Sequence, residues 1–309
     1  MASVSGAQPT GTEVPPASPP AQSQSQATNA LSSAWCSRTP AMTVQQQARL
    51  LRFASLVQAE LNRQAPGSST LISRSGLDLA RFQIRYSHAA LAWQNERGDW
   101  LTRQLYYACE EGRPRVYDQG VAGFVLGGND PELSYIALLT LPEAPGRALR
   151  DAALDRPRAV GLLAARYSAN AYAFSLAYQN CNQWLAELLA VAWAPLREEG
   201  PELRAQAQRW LAQAGYAPTP VAVDSHWLML ASAFIPLVHL NDHPEEDRYA
   251  RRLRVSLPAS LEAFARQQAP GSERVEICQN GRQAVIHRGW TPVAEGCVPG
   301  PGDEVVALD

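Results

Sequence analysis

The feature that most restricts the fold lies in residues 175–189, SLAYQNCNQWLAELL. An alternating apolar run, Tyr172, Phe174, Leu176 and Tyr178, stops at Gln179-Asn180-Cys181. Apolar residues then recur at Trp184, Leu185, Leu188 and Leu189, the spacing of one helix face. The change of period predicts a strand that feeds directly into a helix. Asn is a favoured N-cap, so Cys181 falls in the first helical turn. Unpaired N–H groups and the helix dipole gather there and favour a thiolate over a thiol. Cys181 therefore stands where a nucleophile would. The competing reading is a small buried apolar residue, which free cysteine often is.

With 309 residues, 46% of them hydrophobic, the chain can bury a sizeable core as one large domain or two small ones. A net charge of −2 and a pI of about 6.2 give no basis for a nucleic-acid partner or an anionic membrane surface. No apolar run reaches the roughly 18 to 20 residues that span a bilayer, so no transmembrane segment is expected. The chain as written opens without a basic segment followed by an apolar one, hence without a recognisable secretory signal. Five cysteines are an odd number, which in an oxidising compartment suits two disulfides and one free thiol. Cys278 and Cys297 bracket an expected hairpin and form the better pair, leaving Cys36 with Cys109.

Residues 1–40 are rich in Pro, Ser and Gln and are read as a disordered tail. Thr43 should cap an amphipathic helix to about Gln64, with Leu50, Leu51, Ala54, Val57 and Leu61 on one stripe. Strands are expected at 70–73, 83–94, 100–108, 115–125 and 133–141, with a hairpin turn at Asn95–Asp99. Helical patterns follow at 147–151, at 156–165 behind Asp155, and at 201–214 ahead of Gly215. Further on, Ser225 should cap a helix over 226–234, and Ser256-Leu257-Pro258 should start another to about Gln268. Asn280-Gly281 is the strongest short hairpin signal in the chain. The tail from Thr291 is rich in Pro and Gly.

A cysteine nucleophile needs a base, and histidine accepts a proton near neutral pH. His88 lies on an alternating strand among Tyr86, Ala90 and Ala92, where it is either a base or a satisfied core histidine. His287 belongs to the peripheral hairpin, and His226 to a helix start. His239, Asp242 and His243 have no zinc-type spacing and read as a solvated loop, so no metal site is assigned. The glycines around 119–130 lack a phosphate-loop spacing, so no nucleotide or other cofactor is expected. The run 251–254, RRLR, reads as a solvated face.

A strand-borne His in RYSHAA, followed some 90 positions later by an Asn-Cys that opens a helix, resembles the circularly permuted papain-like proteins. These are relatives of the NlpC-type cell-wall peptidases and of lecithin:retinol acyltransferase. Within that group the stretches LISRSGLDLARFQIRYSHAALAW, VYDQGVAGFVLGGND, YSANAYAFSLAYQNCNQWLAELL and VSLPASLEAFAR are similar to a bacterial family known as domain of unknown function 2145. The resemblance covers roughly residues 35–290. It implies an α+β fold of permuted papain-like type: an antiparallel sheet packed against a helix with the Cys at its N-terminus, plus extra C-terminal helices and a hairpin. On that reading residues 41–290 form one domain with a C-terminal extension from about 215, and 291–309 form a tail.

The resemblance also implies Cys181 as nucleophile, His88 as base, and a third polar residue on the next strand. Folding the 95–99 hairpin brings Gln104 opposite His88, with Arg103 as the alternative one register away. An amide would fix the ring tautomer but stabilise an imidazolium less than a carboxylate. Tyr86, Tyr178 and Asn180 are assigned to substrate contact. The expected activity is a cysteine hydrolase or acyltransferase acting on an amide, ester or thioester. Its substrate would be peptide- or acyl-containing, of cell-wall or lipid origin, in the periplasm or outside the cell. The alternative is a non-catalytic extracytoplasmic binding or scaffold protein that keeps the fold.

Overall fold

Thr43 and Gln46 open the first helix with a capping box: each side chain accepts from the other's backbone N–H. Two donors that a helix start would leave orphaned are thereby satisfied. The computed structural model describes residues 42–65, 67–196 and 202–308. The expected tail at 1–40, Cys36, Pro66, Gly200 and Pro201 lie outside the described residues. Helix α1 (Val44–Gln64) buries Leu50, Phe53, Ala54, Val57 and Leu61. Leu51, one step round the helix from Leu50, is 50% exposed and does not belong to the stripe.

The elements that follow are β1 (Ser69–Arg74), β2 (His88–Gln94), β3 (Trp100–Ala108), β4 (Arg113–Gly120), α2 (Val121–Leu126) and β5 (Ser134–Thr140). Then come α3 (Glu143–Leu154), α4 (Arg156–Gly161), α5 (Cys181–Trp193), α6 (Glu202–Gln213), β6 (Thr219–Ala222) and α7 (His226–Ala231). The chain closes with α8 (Glu245–Ala250), β7 (Arg252–Val255), α9 (Pro258–Gln268), β8 (Glu273–Gln279), β9 (Gln283–Arg288) and β10 (Glu304–Ala307). Eight strands form one sheet in the order β10-β9-β8-β5-β1-β2-β3-β4, with antiparallel neighbours throughout. The fold is α+β. β6 and β7 make a separate two-stranded ladder.

Strand alternation divides the core into two layers. Ile72, Ala90, Ala92, Ile136 and Leu138 face α1 and α2, where Phe53, Val57 and Phe124 are fully buried. Leu71, Ala89, Leu91, Leu105 and Leu139 face the other way, onto α5. Helices α3, α6 and α9 close over α5 from outside. Every residue of α5 from Cys181 to Val191 is buried. A helix buried on every side belongs in the centre of a layer, and the polar side chains of this one, Asn182, Gln183 and Glu187, are hydrogen-bonded there.

Several expectations change. The sheet holds eight strands rather than the five expected up to residue 141, because the Asn280-Gly281 hairpin pairs through β8 with β5 and β10 adds to β9. Strand 83–94 begins only at His88, and the second half of 115–125 is helix α2. Helix α3 starts at Glu143, before the expected 147; Pro145 is tolerated in a first turn, which needs no intrahelical N–H donor.

The run 172–178 is not a strand. Its carbonyls are taken by side chains from two helices. Arg204 donates to Leu176 and Tyr178, Gln183 to Ala173 and Ser175, and Gln208 to Ser175. The hub is Glu187, fully buried on α5, which accepts from Arg204 Nε at 2.9 Å and Nη2 at 3.0 Å, from Gln208 at 2.7 Å and from Gln179 at 2.6 Å.

The loop expected to be solvated at 239–243 is packed inside. Asp242 Oδ2 accepts from Tyr172 N–H, and His243 Nε2 bonds the Asn170 carbonyl oxygen. The RRLR run forms β7, with Leu253 buried beside Met229 and Leu257 and Arg254 held by Asp247. Cys278 and Cys297 form the expected disulfide. Cys109 is also disulfide-bonded, and its expected partner Cys36 lies outside the described residues.

Replacing Glu187 by Ala would strand the Arg204 charge and two amides inside the protein. Urea unfolding of Glu187→Ala is expected to show a loss of about 3 to 5 kcal/mol, with a smaller loss for Glu187→Gln.

Candidate functional site

The sheet forks where the site lies. Pairing of β2 with β3 runs from Gln94↔Trp100 to Leu91↔Arg103 and stops. β1 continues along β2 to Arg74↔His88, and β4 along β3 to Ala108↔Arg113. The first three residues of β2 therefore part from β3. Between the prongs is a cleft of about 1000 Å³, lined by Arg74 and His88 on one side, Gln104 and Tyr106 on the other, and Cys181 and Tyr167 at its base.

Asn180 caps α5, its Oδ1 accepting from Gln183 N–H at 2.7 Å. Its Nδ2 donates to the carbonyls of Ala169 and Ser256. Asn182 donates to the Ser87 carbonyl at 3.1 Å, so the head of α5 is bolted to the entry of β2. The backbone N–H groups of Asn182, Cys181 and Ala89 and the Tyr167 hydroxyl lie close enough to the Cys181 sulfur to bear on its charge. Ala89 is a residue the fork has freed from pairing with β3. Cys181 is the free thiol among the described residues and is 6% exposed.

The expected lowering of the thiol pKa does not occur. Burial outweighs the N–H groups and the Arg74 charge, and the thiol is pushed up to about 11. Desolvation favours the neutral thiol, and one helix turn of partial charge is too little to reverse it.

His88 and Gln104 meet, but diagonally across the fork: the β2–β3 register, continued past Leu91↔Arg103, sets Tyr106 and not Gln104 opposite His88. The sides of β2 and β3 that carry them are those of Ala90 and Ala92, toward α2, and the His88 ring lies 5.8 Å from that of Phe124. Cys181 enters the fork from the opposite face. Gln104 Oε1 bonds His88 Nε2. An amide oxygen only accepts, so Nε2 carries the proton and Nδ1 keeps the free lone pair. Burial and, next, the Arg74 charge push the imidazole down to about 3, against the Gln104 bond. It is neutral at any ordinary pH.

Arg103, the alternative partner, points away: its guanidinium binds Asp118 and the Ala153 carbonyl. Three residues assigned to substrate contact are engaged elsewhere. Tyr86 donates to Glu276 at 2.7 Å behind the sheet. Tyr178 is buried against His239, rings 4.5 Å apart. Asn180 is wholly used in capping.

Two residues of the cleft escaped sequence reasoning. Arg74 ends β1, and its guanidinium packs on the Phe124 ring at 5.2 Å and on Gly127, where a Cβ would collide with it. Its Nε and Nη1 are shut off from solvent with no hydrogen-bond partner, and burial lowers its pKa to about 10. An Arg that closes an otherwise apolar strand is the signal that could have found it. Tyr167 sits beside Tyr107, ring centroids 5.4 Å apart, and its hydroxyl pKa is raised by burial. Nothing local marks it.

Fold and cleft together define an α+β protein with a thiol at the head of a buried helix. The chain belongs to the family described as uncharacterized protein conserved in bacteria, DUF2145, which matches residues 60–265. No curated protein and no solved structure gives a match. No helix among the described residues is long and apolar enough to cross a membrane.

The His88 shift makes stability pH-dependent. Its pKa is about 6.5 unfolded and about 3 folded, so its contribution is complete above pH 6.5 and is lost as pH falls toward 3. The loss is on the order of 4 kcal/mol. Chemical denaturation across that window is expected to give a steep slope for the wild type and a flatter one for His88→Gln.

Proposed function

We propose that the cleft performs cysteine-dependent acyl transfer or hydrolysis, on a fold of the permuted papain-like type. The observation that carries this reading is a free thiol at the first position of a buried helix, in a cleft that also contains a tautomer-fixed imidazole. Cys181 is the nucleophile, His88 the base through Nδ1, and Gln104 the residue that fixes the ring. The thiol proton passes to Nδ1 as sulfur bonds the acyl carbon. The amide, ester or thioester bond then breaks, and the leaving group takes the proton from the imidazolium. Water or a second nucleophile releases the acyl group from sulfur.

Magnitudes decide when the proton moves. From a thiol near 11 to an imidazole near 3 the transfer is uphill by roughly 11 kcal/mol, at about 1.4 kcal/mol per pKa unit. That is most of the barrier for a turnover of about 10 per second. A preformed thiolate–imidazolium pair is therefore not the resting state, and the proton moves as the S–C bond forms. The two neutral groups also favour a second reading, a non-catalytic binding protein that keeps the fold. The disulfide supports an extracytoplasmic location under either reading, since such bonds persist in oxidising compartments.

Incubation with p-nitrophenyl acetate, followed by intact and peptide mass spectrometry, separates the two. The enzyme reading expects acetylation at Cys181, faster as pH rises toward 11 and slowed about 100-fold or more in His88→Ala. Protein that stays unmodified, or is modified equally in Cys181→Ala, overturns it in favour of the binding protein.

A further inference from the structure

The strongest unexplained feature of the molecule is the Arg74 guanidinium. It sits at the fork, close enough to bear on both Cys181 and His88. Buried cations in folded proteins are paired, because an unpaired one forfeits its hydration without recompense. Among the described residues Arg74 has no carboxylate partner, and its Nε and Nη1 are without any acceptor. The cost is tolerable if the acceptor arrives with the ligand.

The rest of the cleft wall narrows what that ligand is. The other cation there, Arg115, is already tied to Glu111, which lines the same cleft. His88 is neutral. The interior thus offers one uncompensated positive charge on a planar fork of donors, which matches a carboxylate in both charge and shape. A phosphate dianion would leave a charge unmatched beside Glu111, in a wall whose one cation besides Arg74 and Arg115 would be a protonated His88. Gly127, on its Nη1 side, and the Phe124 ring pack against the guanidinium, so it is held in place before anything binds.

We infer that Arg74 is an anion-binding residue that selects a substrate bearing a free carboxylate, such as an acidic or C-terminal acyl compound, and seats it beside the Cys181 sulfur. This rests on the reading of Cys181 as nucleophile, and it makes Arg74 a specificity residue of that cleft. A bound carboxylate would also relieve the Arg74 field on His88 and so ease formation of the imidazolium.

Paired alkylating reagents test it. Iodoacetate carries the carboxylate and iodoacetamide does not, while the group transferred to sulfur is otherwise alike. In the wild type the rate ratio of iodoacetate to iodoacetamide at Cys181 is expected to exceed that of Arg74→Met by about tenfold. Arg74→Lys, which keeps the charge but loses the fork, should fall between. Succinate should protect wild-type Cys181 from iodoacetate, and more strongly than phosphate at equal ionic strength. Equal ratios in wild type and Arg74→Met without succinate protection would overturn the inference, and stronger protection by phosphate would overturn its carboxylate part.

Should neither reagent label Cys181, the nucleophile reading fails. The anion site is then judged by whether succinate raises the melting temperature of the wild type and not of Arg74→Met. If Arg74→Met does not fold, Arg74→Lys and the wild-type protection decide.

Discussion

Everything at the cleft follows from the clamp between the head of α5 and the start of β2. The Asn182 amide donates to the Ser87 carbonyl and the Cys181 sulfur lies beside the Ala89 N–H, so the start of β2 is held against a helix instead of against β3. β3 is left to follow β4, and the sheet divides. A side chain from one face and a sulfur from the other can then share one space, which an unbroken sheet would forbid. Asn180 makes the clamp rigid, because its three hydrogen bonds join the helix end to the loop at Ala169 and to Ser256.

The electrostatics of the cleft run against a simple view of helix-end cysteines. Burial dominates: it raises the thiol, depresses the imidazole and weakens the guanidinium, each in the direction of neutrality. The Glu187–Arg204 pair deeper in the same helix layer shows how the protein treats charges it must bury. There the carboxylate is met by five hydrogen bonds and the cation by backbone carbonyls as well. Arg74 receives nothing comparable.

What could be read from the sequence was what depends on near neighbours in the chain. The Asn180 cap, the Thr43 box and the turn at Asn95–Asp99 are fixed by a few adjacent residues. So is the Asn280-Gly281 turn, although not the joining of its hairpin to β5. The run 172–178 has a strand's alternation, but the donors that claim its carbonyls come from Gln183, Arg204 and Gln208, up to some thirty positions away. The direction of the thiol shift and the isolation of Arg74 depend on what packs around them, and periodicity carries no record of that.

The parting of β2 from β3 also gives the protein a lever. Past Leu91↔Arg103, the far half of β3 and all of β4 form a two-stranded ribbon attached to the main sheet along one short stretch of ladder. Changes of twist or length in that ribbon move the wall that carries Gln104 and Tyr106, while the helix that bears the sulfur stays embedded among its neighbours. Members of one family could in this way vary the width of the opening through a single peripheral hairpin, with no repacking of the interior.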